Sequence, residues 1–126
     1  MLFERRFTTA GSDPYAALEF RLASSEIRNP DGTVVFQAEN LEVPVQFSQV
    51  ATDIMAQKYF RKAGSPARLK RVEESSVPSW LWRSVPDEAA LKKLPEEERY
   101  VGESSTKQVF NRLAGTWTYW GWKGGY

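Results

Sequence analysis

The clearest hydrophobic pattern in the chain lies in SQVATDIMAQKYFRKAG, residues 48–64. Apolar residues recur there at intervals of three and four, the spacing of one helix face. Ser48 is a suitable N-cap, and Gly64 followed by Pro66 is a typical helix end. We therefore predict a helix over residues 49–62. Its apolar stripe, expected to pack into the core, is Val50, Ala51, Ile54, Met55 and Tyr59.

A second helical pattern fills SSTKQVFNRLAG, residues 104–115. Ser105 and Gln108 have capping-box spacing, and Gly115 is placed to end the helix. We predict a helix over residues 105–114 whose apolar face is Val109, Phe110 and Leu113. A shorter helix is predicted over residues 84–94, where Ser84 and Asp87 have the same spacing, and PEEERY after it resembles another helix start.

Strand patterns occur in two places. Residues 26–36 contain Asn29-Pro30-Asp31-Gly32, which favours a tight turn, followed by the β-branched run TVVF. This predicts a β-hairpin that turns at residues 29–32. The closing stretch TWTYWGW also has strand composition. Alternation in a strand would put Trp117 and Tyr119 on one face and Trp120 and Trp122 on the other.

The remaining segments read as an arm and a connector. Residues 1–14 are predicted to form an extended arm that ends at the turn signal GSDP. Residues 65–86 contain three prolines and are predicted to form a connector. Its two tryptophans, Trp80 and Trp82, either pin the connector to a core or stack on bases. The five basic residues from Arg61 to Arg71 are either a solvated surface or a phosphate site. GWKGG could form a glycine-rich anion cradle around Lys123, although it lacks the spacing of a phosphate loop and any following helix.

Composition narrows the chemistry more than it narrows the fold. The 126 residues are enough for one domain, and the net charge of +1 points neither to direct nucleic-acid binding nor to a membrane surface. The chain has no cysteine and no histidine, so it lacks a thiolate nucleophile, a redox pair and the usual zinc ligands. No apolar run approaches membrane-spanning length and no signal-type segment opens the chain, so we expect a cytoplasmic protein.

Five blocks of the sequence, in order, resemble one family. They are FERRFTTAGSDPY, SEIRNPDGTVVF, ATDIMAQKYFRKAG, VPSWLWRSVPDEAAL and KQVFNRLAGTWTYWGWKGGY. Together they are similar to the N-terminal region of vitamin B12-dependent (class II) ribonucleotide reductases of the bacterial type, and the likeness covers nearly the whole chain. Phe47 stands where the family pattern has a tryptophan.

The resemblance implies the fold class and the partners. It implies a small, mainly helical α+β domain with a β-hairpin over residues 1–126, in which residues 115–126 lead into a ten-stranded α/β barrel absent from this chain. In the family that barrel holds the ribonucleotide site, nucleotide-effector control acts on the whole enzyme, and adenosylcobalamin generates a cysteine thiyl radical. The implied product is a deoxyribonucleotide, with diphosphates as the favoured substrates.

No catalytic, cofactor-binding or metal-ligating residue carries over from the resemblance, because no motif that holds one is present. We expect this segment to be inactive alone and to pack against the barrel. Exposed aromatics, namely Trp117, Tyr119, Trp120 and Trp122, are then expected to form a docking surface that self-associates when uncovered. An alternative for the tail is that it folds back onto the helix at residues 105–114 and completes a small core. For the whole chain two alternatives remain open, a stand-alone aromatic module that binds nucleotides or sugars and a separately encoded fragment that assembles with its missing half.

Overall fold

The structure, a computed structural model, describes residues 4–126. It contains six β-strands, three α-helices, one π-helical turn and two short 3₁₀ turns within that range. The strands are β1 (Phe20–Arg28), β2 (Val34–Pro44), β3 (Ser65–Pro66), β4 (Leu69–Arg71), β5 (Ser84–Pro86) and β6 (Tyr100–Val101). The helices are α1 (Gln49–Ile54), continued by the π turn Met55–Tyr59, α2 (Glu88–Leu91) and α3 (Thr106–Lys123), and the 3₁₀ turns are Ser79–Leu81 and Glu96–Glu98.

The chain divides into two compact units. One, here the hairpin unit, contains residues 4–60 and Ser104–Lys107. The other, here the tryptophan unit, contains Arg61–Glu103 and Gln108–Tyr126, and with them all five tryptophans of the chain. Strands pair antiparallel in three two-stranded sheets, β1 with β2, β3 with β6 and β4 with β5. The expected α+β class is thereby confirmed.

The predicted hairpin is confirmed and is longer than the sequence pattern indicated. Asn29 N–H donates to the Thr33 carbonyl at 2.7 Å, and Gly32 takes the left-handed φ of 87° that the turn needs. A bulge lies farther along, where Ser24 faces both Glu39 and Asn40, and Asn40 adopts a φ of 55° that asparagine tolerates. The ends of the strands beyond this bulge supply much of the core of the hairpin unit. Its buried residues are Ala23, Ser25, Leu41, Val43, Pro44, Thr52, Ala56, Phe60 and Thr106.

The helix predicted over residues 49–62 forms, but it is shorter and its buried face was predicted wrongly. Ser48 caps it as expected, accepting a hydrogen bond from Ala51 N–H at 3.1 Å. The backbone then widens into the π turn and becomes extended at Phe60, well before Gly64. The stripe Val50, Ala51, Ile54, Met55 and Tyr59 is not the core face, because Val50, Ile54 and Tyr59 are about half exposed or more. The buried positions are Thr52, Ala56 and Phe60, spaced by four as a widening helix allows.

The connector of the tryptophan unit carries more structure than its prolines suggested. β4 and β5 pair within residues 65–86, and Leu81 is buried there with Val77, Leu91 and Val109 as the core of the unit. Ser84 is not a helix cap, because it lies in β5 opposite Arg71. Asp87 caps α2 instead, accepting from Ala90 N–H at 3.2 Å, and α2 ends at Leu91 rather than at residue 94. PEEERY forms a single 3₁₀ turn and then β6.

The closing strand was predicted wrongly, because α3 runs without a break through Gly115 to Lys123. Gly115 has room for a β-carbon and no left-handed φ, so it lies inside the helix and does not end it. Strand propensity of Trp, Tyr and Thr is a weak local preference, and here it yields to contacts that these aromatics make at helical spacing. The predicted start is nearly correct, since Ser105 Oγ accepts from Lys107 N–H at 3.1 Å just before α3.

The predicted extended arm is only partly described and is not simply extended. Residues 4–14 contain no helix or strand and include a turn in which Ser12 N–H donates to the Thr9 carbonyl at 3.1 Å. Residues 1–3 lie outside the described part. Across the described residues, no helix is both long enough and apolar enough to cross a bilayer.

Candidate functional site

The C-terminal half of α3 is held to the connector by one face. Tyr119 Oη donates to Glu74 Oε2 at 2.7 Å, and Lys123 Nζ donates to Glu74 Oε1 at 2.7 Å. Trp122 Nε1 donates to the Ser76 carbonyl at 2.8 Å. Residues 119, 122 and 123 recur at the three- and four-residue spacing of one helix face, so a single turn of α3 brings all three donors to the loop. We call Glu74, Tyr119, Trp122 and Lys123 the latch.

The charges of the latch stabilise one another. The hydrogen bond from Lys123, and then that from Tyr119, lowers the pKa of Glu74 below its usual range. The same hydrogen bonds to Glu74 raise the pKa of Lys123 and of Tyr119. Lys123 therefore lies in a helix and is paired with the Glu74 carboxylate. The glycine-rich anion cradle considered from the sequence does not form around it.

The two connector tryptophans have different environments. Trp82 is half-buried, and its Nε1 donates to the Val77 carbonyl at 3.0 Å and to the Glu74 carbonyl at 3.3 Å, both within the connector itself, so pinning of the connector to a core by Trp82 stays a prediction. Trp80 is 64% exposed and packs edge-on against Trp122, with ring centroids 6.4 Å apart. Trp80 therefore extends the aromatic contact of the latch at the surface.

The opposite side of α3 is largely exposed towards its C-terminal end. Trp117 and Trp120 are 64% and 65% exposed, and Phe110 is 39% exposed. Positions 110, 113, 117 and 120 have alternating intervals of three and four, which places them on one stripe of the helix. We call Phe110, Leu113, Trp117 and Trp120 the seam. The four closing aromatics thus divide into two engaged residues of the latch, Tyr119 and Trp122, and two exposed residues of the seam.

A buried ion pair holds α3 at Arg112, within the stretch of helix that carries the seam. Glu103 accepts three guanidinium contacts from Arg112, at 3.0 to 3.1 Å, and one from the backbone N–H of Arg61 at 2.8 Å. The side chain of Glu103 is only 5% exposed. A β-carbon at Gly102 would lie 2.8 Å from the Lys62 carbonyl, so only glycine allows this approach. Sequence reasoning missed Glu74 and Glu103 because Tyr119 and Lys123 lie more than forty residues from Glu74, and Arg112 is joined to Glu103 across a bend that leaves no helical or strand spacing.

The basic segment from Arg61 to Arg71 is partly engaged with backbone. Arg71 Nη2 donates to the Ser79 carbonyl at 2.7 Å, and Arg68 Nη1 donates to the Ala67 carbonyl at 2.9 Å. Among the described residues no cluster of three or more acidic, histidine or cysteine side chains is arranged to hold a metal.

The hairpin unit contains a polar groove of about 370 Å³, whose lining residues can be compared with what a cobalamin would need. It lies beside the bulge and is lined by Arg21, Leu22, Ala23, Ser24, Glu39, Asn40 and Gln49. Gln49 Nε2 already donates to Asp53 and to the Ser24 carbonyl, and no histidine exists in the chain to ligate cobalt. The lining of this groove therefore offers no ligand for cobalt and does not fit a corrin.

Most of the chain matches a known protein family. The family model described as class II vitamin B12-dependent ribonucleotide reductase matches residues 21–126. The chain belongs to this family. It corresponds to the N-terminal region, as the resemblance implied.

Individual relatives agree with the family assignment. The chain is 71% identical over all 126 residues to a vitamin B12-dependent ribonucleotide reductase of Bradyrhizobium diazoefficiens, and 67% identical over the same length to that of Agrobacterium fabrum. A third, from Rhodopirellula baltica, is 34% identical over 74 residues, which are 58% of this chain and 7% of that protein. The chain spans about a tenth of the length of the first two relatives.

Proposed function

We propose that this domain is a non-catalytic part of a vitamin B12-dependent ribonucleotide reductase, an enzyme that makes deoxyribonucleotides for DNA synthesis. One observation carries the proposal. All 126 residues of this chain align at 71% identity with part of such a reductase, and none of them is a cysteine. Reduction by a thiyl radical and a cysteine pair needs thiols, so those groups must belong to the remainder of the enzyme. That remainder is the partner of this domain.

The finer chemistry follows the family. We propose that the whole enzyme uses the adenosyl form of cobalamin, reduces ribonucleoside diphosphates under the control of nucleotide effectors, and works in the cytoplasm. Support for these points is the resemblance of the five sequence blocks. The comparisons give no support to a stand-alone aromatic binding module, and the hydrogen bonds of Tyr119 and Trp122 leave only part of the aromatic set free to stack on a ligand.

An activity assay tests the proposal. The full-length reductase that carries this domain, supplied with adenosylcobalamin and a dithiol, is expected to convert ribonucleoside diphosphates faster than triphosphates. The domain alone is the matched control, and it is expected to form no deoxynucleotide above a protein-free blank. Deoxynucleotide formation by the isolated domain would contradict the non-catalytic assignment. An inactive full-length enzyme would contradict the assigned reaction.

A further inference from the structure

We infer that the seam is the contact by which the domain docks on the remainder of its own reductase chain, whereas the latch only positions it. This rests on the proposed function and divides the four closing aromatics by role. The latch residues already have partners within the tryptophan unit, since Tyr119 and Lys123 bind Glu74 and Trp122 binds Ser76. Trp117 and Trp120 are the two α3 tryptophans that lie mostly in solvent.

The chemistry of the seam specifies the surface that covers it. Helical spacing brings Phe110, Leu113, Ala114, Trp117, Trp120 and Gly121 to one side of α3, and none of them is charged. Between the described residues, no hydrogen bond is formed by the indole N–H of Trp117 or Trp120. Indole N–H groups usually find an acceptor once they are buried. The docking surface is therefore expected to be apolar, without an unpaired charge, and to offer oxygen acceptors at its rim.

The size of the seam favours the same chain over a second copy of the domain. At the areas usual for buried aromatics, Trp117 and Trp120 expose roughly 300 Å² between them. A stable interface between separate proteins buries about 800 Å² on each partner, so the seam alone is too small for one. A covalently linked partner needs less contact, because the linker supplies an effective concentration of about millimolar. The full-length relatives are about ten times as long as this chain and supply such a partner.

Trp80 is a matched control in the same unit. It is a tryptophan with 64% exposure, equal to that of Trp117, but it lies on the connector beside Trp122 and outside the seam. Trp80, Trp117 and Trp120 therefore have similar access to solvent in this structure. Only docking through the seam would cover Trp117 and Trp120 in the full-length enzyme while leaving Trp80 open.

The experiment is hydroxyl-radical footprinting of unmodified full-length reductase, with oxidation of each tryptophan read by mass spectrometry. Trp117 and Trp120 are expected to lose most of their oxidation relative to Trp80. Equal oxidation of the three would overturn the inference. Protection that disappears on dilution of the enzyme would assign the seam to a second copy and would also overturn it.

Photo-crosslinking identifies the occupant. Full-length reductase carrying p-benzoylphenylalanine in place of Trp120, or of Trp80 as control, is irradiated as a mixture of isotope-labelled and unlabelled chains. Crosslinks from position 120 are expected within one chain, to peptides outside residues 1–126. Crosslinks between labelled and unlabelled chains, or a pattern equal to that from position 80, would refute the inference. Ribonucleotide reduction is also measured on the unmodified enzyme used for footprinting. If that enzyme is active while Trp117 and Trp120 are oxidised as readily as Trp80, the docking inference is wrong but the proposed function is not.

Discussion

At the residue scale, two carboxylates organise the tryptophan unit, each by receiving donors from more than one segment or side chain. Glu103 is buried and receives both the Arg112 guanidinium and a backbone N–H. Glu74 lies nearer the surface and receives Lys123 and Tyr119. Charge-assisted hydrogen bonds are stronger than neutral ones, and burial decides how costly it is to remove a partner. The two sites therefore predict different responses to mutation.

Arg112→Met is expected to destabilise the domain by about 3 kcal/mol, the lower part of the range for breaking a buried pair, since Arg112 is a quarter exposed. Methionine keeps much of the length of the side chain but leaves the Glu103 carboxylate without its guanidinium. Urea denaturation followed by circular dichroism measures the loss. The control is Arg28→Met, which removes the exposed pair with Glu26 and should cost at most about 1 kcal/mol. Equal losses would contradict a buried role for Glu103.

The latch predicts a defined pH dependence. Because the pKa of Glu74 is lowered in the folded protein, its stabilisation is present above the ordinary value of 4.5 and is lost as the pH falls through the lowered pKa. Lys123 has a raised pKa, so its share is present below 10.5 and is lost at higher pH. The difference in melting temperature between the native domain and Glu74→Gln should therefore be largest between pH 4.5 and pH 10.5. It should shrink in acid, as the pH falls through the lowered pKa of Glu74. Glu97→Gln, which removes a carboxylate at an exposed position outside the latch, is the control.

At the element scale, α3 shows how a local end signal can be overridden. Gly115 was predicted to end the helix, yet the helix continues because Arg112, Tyr119 and Trp122 on either side of it have partners on the same unit. Gly64, the other predicted helix stop, does adopt a left-handed φ of 78°, although α1 and its π turn have already ended. Both glycines were predicted to end a helix, but only Gly64 has the left-handed backbone that favours glycine, whereas Gly115 has helical backbone.

Gly115→Ala is expected to stabilise the domain by roughly 0.5–1 kcal/mol, since alanine is the better helix former and, apart from the adjoining residues and backbone of α3 itself, no atom lies within 4 Å of the new β-carbon. Gly64→Ala is expected to destabilise it by roughly 1–2 kcal/mol, because its φ of 78° is strained for an L-residue. Denaturation midpoints of the two variants, read against the native domain, measure both effects. A destabilising Gly115→Ala would indicate that the helix ends at residue 115, as the sequence alone suggested.

Local chemistry explains which elements could be predicted. The turn at 29–32, the Ser48 cap and the start of α3 depend on a few adjacent residues, and the sequence predicts them. The π turn shifts the buried positions to Ala56 and Phe60, and no periodicity analysis of an ideal helix can show that shift. The aromatic tail was misassigned because its partners, Glu74 and Ser76, are more than forty residues away.

The candidate site was predictable only in part. Its residue types were visible, since a cluster of tryptophans without cysteine or histidine indicated contact rather than catalysis. Their division into latch and seam was not, because strand alternation pairs Trp117 with Tyr119, whereas the helix pairs Trp117 with Trp120. The same four residues present a different surface once the period changes from two to 3.6.

At the scale of the whole molecule, each unit has a small core and the tryptophan unit also carries an open seam. Val77, Leu81, Leu91 and Val109 are its buried hydrophobic residues, and the latch closes the end of α3 beside the connector. Folding of this unit should therefore depend on the latch and not on the seam. Association of the isolated domain, by contrast, should depend on the seam, which exposes apolar area that nothing described here covers.

The double variant Trp117→Ser/Trp120→Ser should reduce weak, concentration-dependent self-association of the isolated domain and change its unfolding free energy by no more than about 0.5 kcal/mol, as exposed substitutions usually do. Trp122→Ser should instead cost roughly 1–3 kcal/mol, because it removes the hydrogen bond to Ser76 and the contact with Trp80. Sedimentation and urea denaturation separate the two effects. Unfolding of the double variant would show that the seam belongs to the core, and unchanged association would show that other surfaces bring the domains together.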